Sequence, residues 1–271
     1  MMKQYSAFEL FLCFCGGLVL LFILAPLAGM ILHCPIMPEE GGNVYSLVET
    51  AQDREVQRSI VLTLSTSIGG TVVLSIAAIP FAYLLARYRF PMKRLVLGII
   101  DLPVVIPHSA AGIAILGVLS RDTILGKLAE KLGFNLIGSP IGIAVCMAFV
   151  SIPFMINAAR EGFAAVPLRL EKTALTLGAS PLRVFFTISL PLAWRSVLTG
   201  MVMMFARGLS EFGAVVIVAY HPMITPVLIF ERFTAFGLKY ARGVAVLFIL
   251  ICLLVFIALR LLSGERKHAE N

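Results

Sequence analysis

Apolar positions along this chain come in long uninterrupted runs, not in alternation and not in narrow helical stripes. FLCFCGGLVLLFILAPLAGMIL fills residues 11–32. No charge occurs from Ser59 to Ala86, between Arg58 and Arg87. LVLGIIDLPVVIPHSAAGIAILGVLS covers 95–120 and carries Asp101 and His108. Residues 132–159 are again uncharged. A fifth run lies within 192–220, with Arg195 near its start and Arg207 and Glu211 further on. A sixth, GVAVLFILICLLVFIAL, occupies 243–259 and extends back to about Leu238. A bilayer core needs about 20 mostly apolar residues per helix. The pattern therefore predicts an all-α polytopic membrane protein with six transmembrane helices. A spanning barrel would show short alternating segments instead. The first run exceeds the h-region of a secretory leader, and no small-residue site stands next to Cys34, so it reads as a retained helix.

Composition agrees, with 14% charged and 59% hydrophobic residues against roughly 25% charged in soluble domains. Lys and Arg set the orientation of such a chain. With the N-terminus inside, the inner side holds thirteen of the twenty-two: Lys3, Arg87, Arg89, Lys93, Arg94, Arg160, Arg169, Lys172, Arg183, Arg195, Arg260, Arg266 and Lys267. Eight fall outside, offset by Glu39, Glu40, Glu49, Asp53, Glu55, Asp122, Glu130 and Glu231, while Arg207 lies within the membrane. Both termini and the polar segment 160–191 are thus expected in the cytoplasm. The net charge of +7 reads as orientation and contact with anionic membrane lipid, not nucleic-acid binding. Cys13, Cys15, Cys146 and Cys252 lie in apolar runs and read as packing residues; Cys34 is expected exposed outside, with no outer partner.

Enzyme chemistry finds little support. No G-x-x-x-x-G-K-[ST] phosphate loop is present, since Leu128 follows Gly126-Lys127. His33, His108, His221 and His268 have no Cys or acid companions at ligand spacing, so no metal site is expected. No G-x-S-x-G elbow occurs, and Asp101 is the one intramembrane aspartate.

The polar interruption EKTALTLGASPLRVFFTISLP, 171–191, has an order of its own. Pro167 suits a first helical turn, and Leu168 to Leu177 are good helix formers with Leu168, Ala174 and Leu175 on roughly one face. Gly178 suits a left-handed C′ position. Ser180-Pro181 suits the start of a second helix that runs into the next span. The reading is helix, sharp turn, helix on the cytoplasmic face. The segment resembles the cytoplasmic loop shared by permease subunits of ABC-type importers, E-A-A-x₃-G-x₉-I-x-L-P. Gly178, Ile188, Leu190 and Pro191 fall at the required offsets; the leading acid falls on Lys172, the next position on Thr173, and Ala174 agrees, with Glu171 one residue early. The resemblance implies a coupling helix docking on a separate cytoplasmic ATPase, with Arg169, Glu171 and Lys172 as interface charges. Taken alone, each is an ordinary solvated charge.

A second stretch, 205–233, places Arg207 and Glu211 four residues apart on one helical face, inside the membrane. Intramembrane charges face a cavity or each other, so the pair is either a packing device or a gate or pathway element. Ser210-Glu211-Phe212-Gly213-Ala214, followed by Pro222-Met223-Ile224-Thr225-Pro226, resembles oxyanion importer permeases, above all the molybdate and tungstate permeases of the archaeal type; sulfate and thiosulfate permeases are similar but favour E-Y-G-S. Residues 101–116, with Pro103, Pro107 and Gly112, fit the same group. Prolines there free backbone carbonyls near a path, and His108 and Ser109 supply donors. Asp101, His108, Ser109, Arg207 and Glu211 are therefore the candidate pathway or gate residues.

The resemblance spans about residues 57–262 and implies a type I ABC importer permease fold, homodimeric. Expected partners are a second copy, two cytoplasmic ATPase subunits that bind the ATP and Mg, and an external oxyanion-binding protein; no cofactor is expected in this chain. The implied organisation is 1–56, first helix and outer loop; 57–262, core with five spans and the coupling loop 161–191; and 263–271, a cytoplasmic tail. Alternatives are a sulfate or other oxyanion permease, or a secondary transporter, for which no clear inverted repeat or acid relay stands in the sequence.

Overall fold

The structure is a computed structural model and describes residues 7–36 and 46–263. The charges expected at Lys3, Glu39, Glu40, Arg266 and Lys267, and the tail from 264 on, lie outside the described residues. In order the helices are α1 (Ala7–Leu32), α2 (Leu47–Gln52), α3 (Arg54–Arg87), α4 (Lys93–Val105), α5 (His108–Leu119), α6 (Ile124–Lys131), α7 (Pro140–Ala165), α8 (Leu168–Thr176), α9 (Pro181–Val184), α10 (Leu190–Leu209), α11 (Val215–Val218), α12 (Thr225–Phe236) and α13 (Leu238–Ser263). A π-helical turn, Phe185–Ser189, joins α9 to α10. The described residues contain no strand.

Five helical stretches are individually long and apolar enough to cross a membrane, and the pair α4 and α5 supplies a sixth crossing if counted as one span. That third run is not one kinked helix. It breaks into two helices bent by 111°. Pro107 has no N–H to continue the ladder, and it forces Ile106 into extended backbone, φ −72° and ψ 146°. The fourth span starts later than the apolar run, because Ser139 caps it by accepting from the Gly142 N–H at 3.2 Å and Pro140 takes the first helical position. The fifth ends early: α10 stops at Leu209, and residues 210–214 leave the helix before the one-turn α11.

The chain forms two compact units, one of residues 1–57 with 229–250 and the other of 58–228 with 251–271. In the first unit α1 is apolar and exposed all round, as suits a helix in contact with lipid. A capping box starts α2: Ser46 accepts from the Glu49 N–H, and the Glu49 carboxylate accepts from the Ser46 N–H at 2.9 Å. Arg232 donates to Asp53 at 2.5 Å and to Glu55 at 3.1 Å, and Arg242 donates to the His33 carbonyl at 2.7 Å. Cys34 is buried instead of exposed; burial pushes its thiol up, and the nearby Arg242 pulls it partly back.

In the second unit α7 is the central helix, with α4, α5, α10 and α11 packed around it. One apolar cluster gathers Ala111, Ile115, Ile143, Met147, Val215 and Val227. The other gathers Leu85, Met155, Phe163, Val197 and Met204. Along α3 a buried stripe of Ser59, Thr63, Thr66, Ser67, Thr71 and Ser75 lets helices approach closely, as small residues do inside membranes. Thr63 accepts from the Thr225 N–H at 2.9 Å and donates to Ser59 O at 2.6 Å, which fixes the start of α12. Near the middle of α3, Ser67 donates to Phe205 O at 2.9 Å. This contact holds the C-terminal end of α10 against the uncharged stretch of α3.

Candidate functional site

The polar elbow forms as its residue pattern requires. Helix α8 ends in a Schellman turn: the Gly178 N–H donates to Leu175 O and the Ala179 N–H to Ala174 O, both at 3.0 Å. Gly178 has φ +87°, a left-handed conformation that L side chains resist. Ser180 caps α9 by accepting from the Arg183 N–H, and Pro181 takes the first helical position. Pro167 stands one residue before α8, as its N-cap and not as its first residue. The Leu190 N–H reaches back five residues to Phe185 O, and Pro191 follows with no N–H to offer. The spacing between Gly178 and Pro191 therefore encodes a turn, a cap and a widened helical turn.

Inside that elbow sits Glu171. It is only 5% exposed. Arg87, at the end of α3, donates to its Oε1 from Nε at 3.0 Å and from Nη2 at 2.7 Å, and also to Val166 O at 3.0 Å. Ser189 donates to the same oxygen at 2.7 Å, and the Tyr83 hydroxyl to Oε2 at 3.3 Å. Tyr83, Phe163 and Phe185 stack edge-on or tilted around it, with centroids 5.0–6.0 Å apart. Glu171 was expected as an interface charge. Its carboxylate instead faces inward and ties the elbow to the ends of two spanning helices, so it is not an available surface charge. The outward face of the elbow carries Arg169, Lys172 and Thr173, with Leu168, Leu170, Leu175, Leu177 and Leu182 exposed beside them. Ala174 is half-buried; Gly178 and Pro191 are exposed.

The second cluster lies at the C-terminal end of α10. Arg207 Nη2 is 3.1 Å from Glu211 Oε2 and 3.0 Å from His108 Nε2, and His108 Nδ1 is 3.1 Å from the same Glu211 oxygen. A ring carrying its proton on Nδ1 donates to the carboxylate and accepts from the guanidinium. The Ala214 N–H donates to Glu211 Oε1 at 2.9 Å. Arg207 and Glu211 are paired as expected but share no helical face: α10 has already ended, and Glu211 reaches back from the following loop. Glycine permits the assembly. A Cβ on Gly213 would come within 2.7 Å of His108 Cβ, and one on Gly112 within 2.9 Å of Ala214 O. The two stretches 107–112 and 210–214, separate in sequence, thus meet face to face.

Ser109 is exposed beside His108. Asp101 faces elsewhere. It accepts from Asn157 Nδ2 at 2.7 Å and lines, with Glu161, Pro153 and Met203, an open cleft of about 400 Å³. Among the described residues no group of His, Cys, Asp and Glu could hold a metal ion. Sequence reasoning missed Arg87, Tyr83 and Ser189. Only Ser189 had a signal, its place inside the I-x-L-P spacing. It also missed that His108 meets Arg207 and Glu211.

The family described as "Binding-protein-dependent transport system inner membrane component" matches residues 78–267. A relative from Thermococcus kodakarensis, the molybdate/tungstate transport system permease protein WtpB, is 39% identical over 254 residues, 94% of this chain and 95% of that protein. Its namesake in Pyrococcus abyssi is 42% identical over 221 residues, 82% and 84% of the two chains. Among solved structures, a chain of a bacterial ABC transporter involved in import of the acidic polysaccharide alginate superimposes with a TM-score of 0.70 at 16% identity, covering 97% of this chain and 96% of that one. That likeness gives the fold: a type I ABC importer permease. This chain belongs to the inner-membrane components of binding-protein-dependent transport systems.

Proposed function

We propose that the chain is the membrane-spanning subunit of an ATP-driven importer of molybdate and tungstate, and that it works as a homodimer. An external binding protein delivers the oxyanion. Two cytoplasmic ATPase subunits bind the ATP and Mg and hydrolyse the nucleotide, and the chain itself performs no catalysis. Both termini and the elbow face the cytoplasm, in keeping with the bias of Lys and Arg. The relatives named above supply the substrate class.

One observation carries the reading. The elbow presents leucines and two cations outward while Glu171 clamps it from within to Arg87 and Ser189. Exposed leucines rimmed by charge are what a partner's groove takes up. The inner clamp makes the elbow stiff, so a push from the ATPase moves α3 and α10 instead of bending the loop. Alternating access follows if the partners bind the inward-open and outward-open states with different affinities.

The test is uptake of labelled molybdate and tungstate into proteoliposomes holding the chain with the ATPase and binding protein of its own cell, sulfate being the competitor. ATP-dependent uptake that excess sulfate leaves intact is expected. Uptake abolished by sulfate would reassign the substrate, and uptake without any ATPase would make it a secondary transporter.

A further inference from the structure

Glu211 is held from behind. It is 1% exposed, with Oε1 fixed by the Ala214 N–H and Oε2 by Arg207 and His108. Ala214 is itself wedged against Gly112. This carboxylate cannot swing out as a moving gate. Arg207 is less enclosed: its side chain is 24% exposed and that of His108 44%. Arg207 Nη1 reaches Ser210 Oγ at 3.3 Å on the exposed side. A guanidinium has five N–H donors, and among the described residues Nη1 uses one of its two, on Ser210. Ser109, which follows His108 in the chain, is exposed as well. The contact of Ser67 with Phe205 O holds the end of α10 against the uncharged stretch of α3. A partly exposed guanidinium beside an uncharged spanning stretch faces a wet cavity or a partner subunit, not hydrocarbon.

We infer that Arg207 forms a transit site for a tetrahedral oxyanion, and that Glu211 is a built-in counter-charge that keeps this site weak. The inference rests on the permease reading and deepens it. An anion arriving at Nη1 meets a guanidinium already neutralised on its inner side, so attraction to the arginine is opposed by repulsion from the carboxylate. His108 is a positioning residue: Arg207 Nη2 lies 3.2 Å from its Nδ1 and 3.0 Å from its Nε2, and Nδ1 also meets the Glu211 carboxylate. Selection belongs to the delivering protein; the path needs only a site that lets go.

Two measurements decide it: equilibrium binding of labelled molybdate to the purified permease without a binding protein, and uptake by the complete transporter. Glu211→Gln keeps the shape and removes the charge. It is expected to bind molybdate at least tenfold tighter than wild type and to lower maximal uptake at least tenfold. Arg207→Gln on the Glu211→Gln background is expected to abolish the added affinity. Arg207→Gln alone should lower maximal uptake with KM little changed, because KM reports the binding protein. The inference is overturned if folded Glu211→Gln binds no tighter, or if tight binding survives loss of Arg207. Should Glu211→Gln fail to fold, Arg207→Gln decides alone, and unchanged maximal uptake overturns the inference. A wild-type transporter that imports no oxyanion sinks the permease reading instead. The binding arms, repeated with sulfate and phosphate, still show whether Arg207 holds an oxyanion.

Discussion

Among the described residues two glutamates are almost wholly buried, and each is paired with an arginine. Glu171 sits in a closed cage: Arg87, Tyr83 and Ser189 donate to it, and both charged side chains are 7% exposed. Glu211 is as deeply buried, but its partners Arg207 and His108 open on one side. A closed pair can only hold parts together, because no ligand reaches it. An open pair holds parts together and still offers a donor. The same chemistry thus gives a strut at one end of the spanning helices and a polar surface in their midst.

Breaking the closed pair gives the largest effect. Removing one partner leaves the other charge buried and unmatched, a loss of about 3–5 kcal/mol. Arg87→Ala or Glu171→Ala should therefore lower the thermal unfolding midpoint of the purified permease sharply. Arg87→Met with Glu171→Leu should recover most of the loss, since no orphan charge remains. Equal destabilisation in single and double variants would show that the pair does more than match charge. The open pair is probed by Gly213→Ala, whose methyl meets His108 Cβ. Overpacking of this kind costs about 1–3 kcal/mol; the transport rate should fall while the elbow retains its hold on the ATPase, as co-purification would show.

The fold was largely legible because lipid demands long apolar runs, and these are visible without any contact information. The elbow was legible from Gly178, Ser180-Pro181 and Pro191, whose backbone restrictions act locally. What hid was long-range pairing. Nothing in the run from 59 to 86 marks Arg87 as the partner of a residue eighty-four positions away, and Glu171 read as one more surface charge in a charged helix. The breaks in the third and fifth spans were not placed, because hydropathy does not register where a helix ends. Pro107 ends one ladder, and Glu211 trades helix continuation for the Ala214 N–H.

Smaller effects sharpen the contrast. Gly178→Ala forces a side chain into left-handed backbone at about 1–2 kcal/mol, and should loosen the elbow, measured as faster amide exchange over 168–180, without touching the intramembrane cluster. The smallest effect belongs to a third, more open set: Arg232 with Asp53 and Glu55. Burial raises the Asp53 pKa, but the Arg232 hydrogen bond, the amides of Glu55 and Val56 and the Arg232 charge outweigh it, so the net shift is downward. Arg232 shifts upward, its burial outweighed by the same carboxylates, and keeps its charge throughout. The tie is therefore fully present above the ordinary Asp value of about 3.9 and is lost as pH falls through the lower folded value. Worth at most about 1 kcal/mol, it should appear as an acid-induced loss of amide protection over 47–57, after correction for intrinsic exchange, that Asp53→Asn diminishes.

The most direct measurement is the number of oxyanions imported per ATP hydrolysed, by wild type and by Glu171→Gln, in proteoliposomes where the ATPase still co-purifies. With the clamp weakened, hydrolysis should continue while import falls at least tenfold, because the push no longer reaches α3 and α10. An unchanged ratio, with the ATPase still bound, would contradict the claim that this buried carboxylate carries the stroke into the membrane.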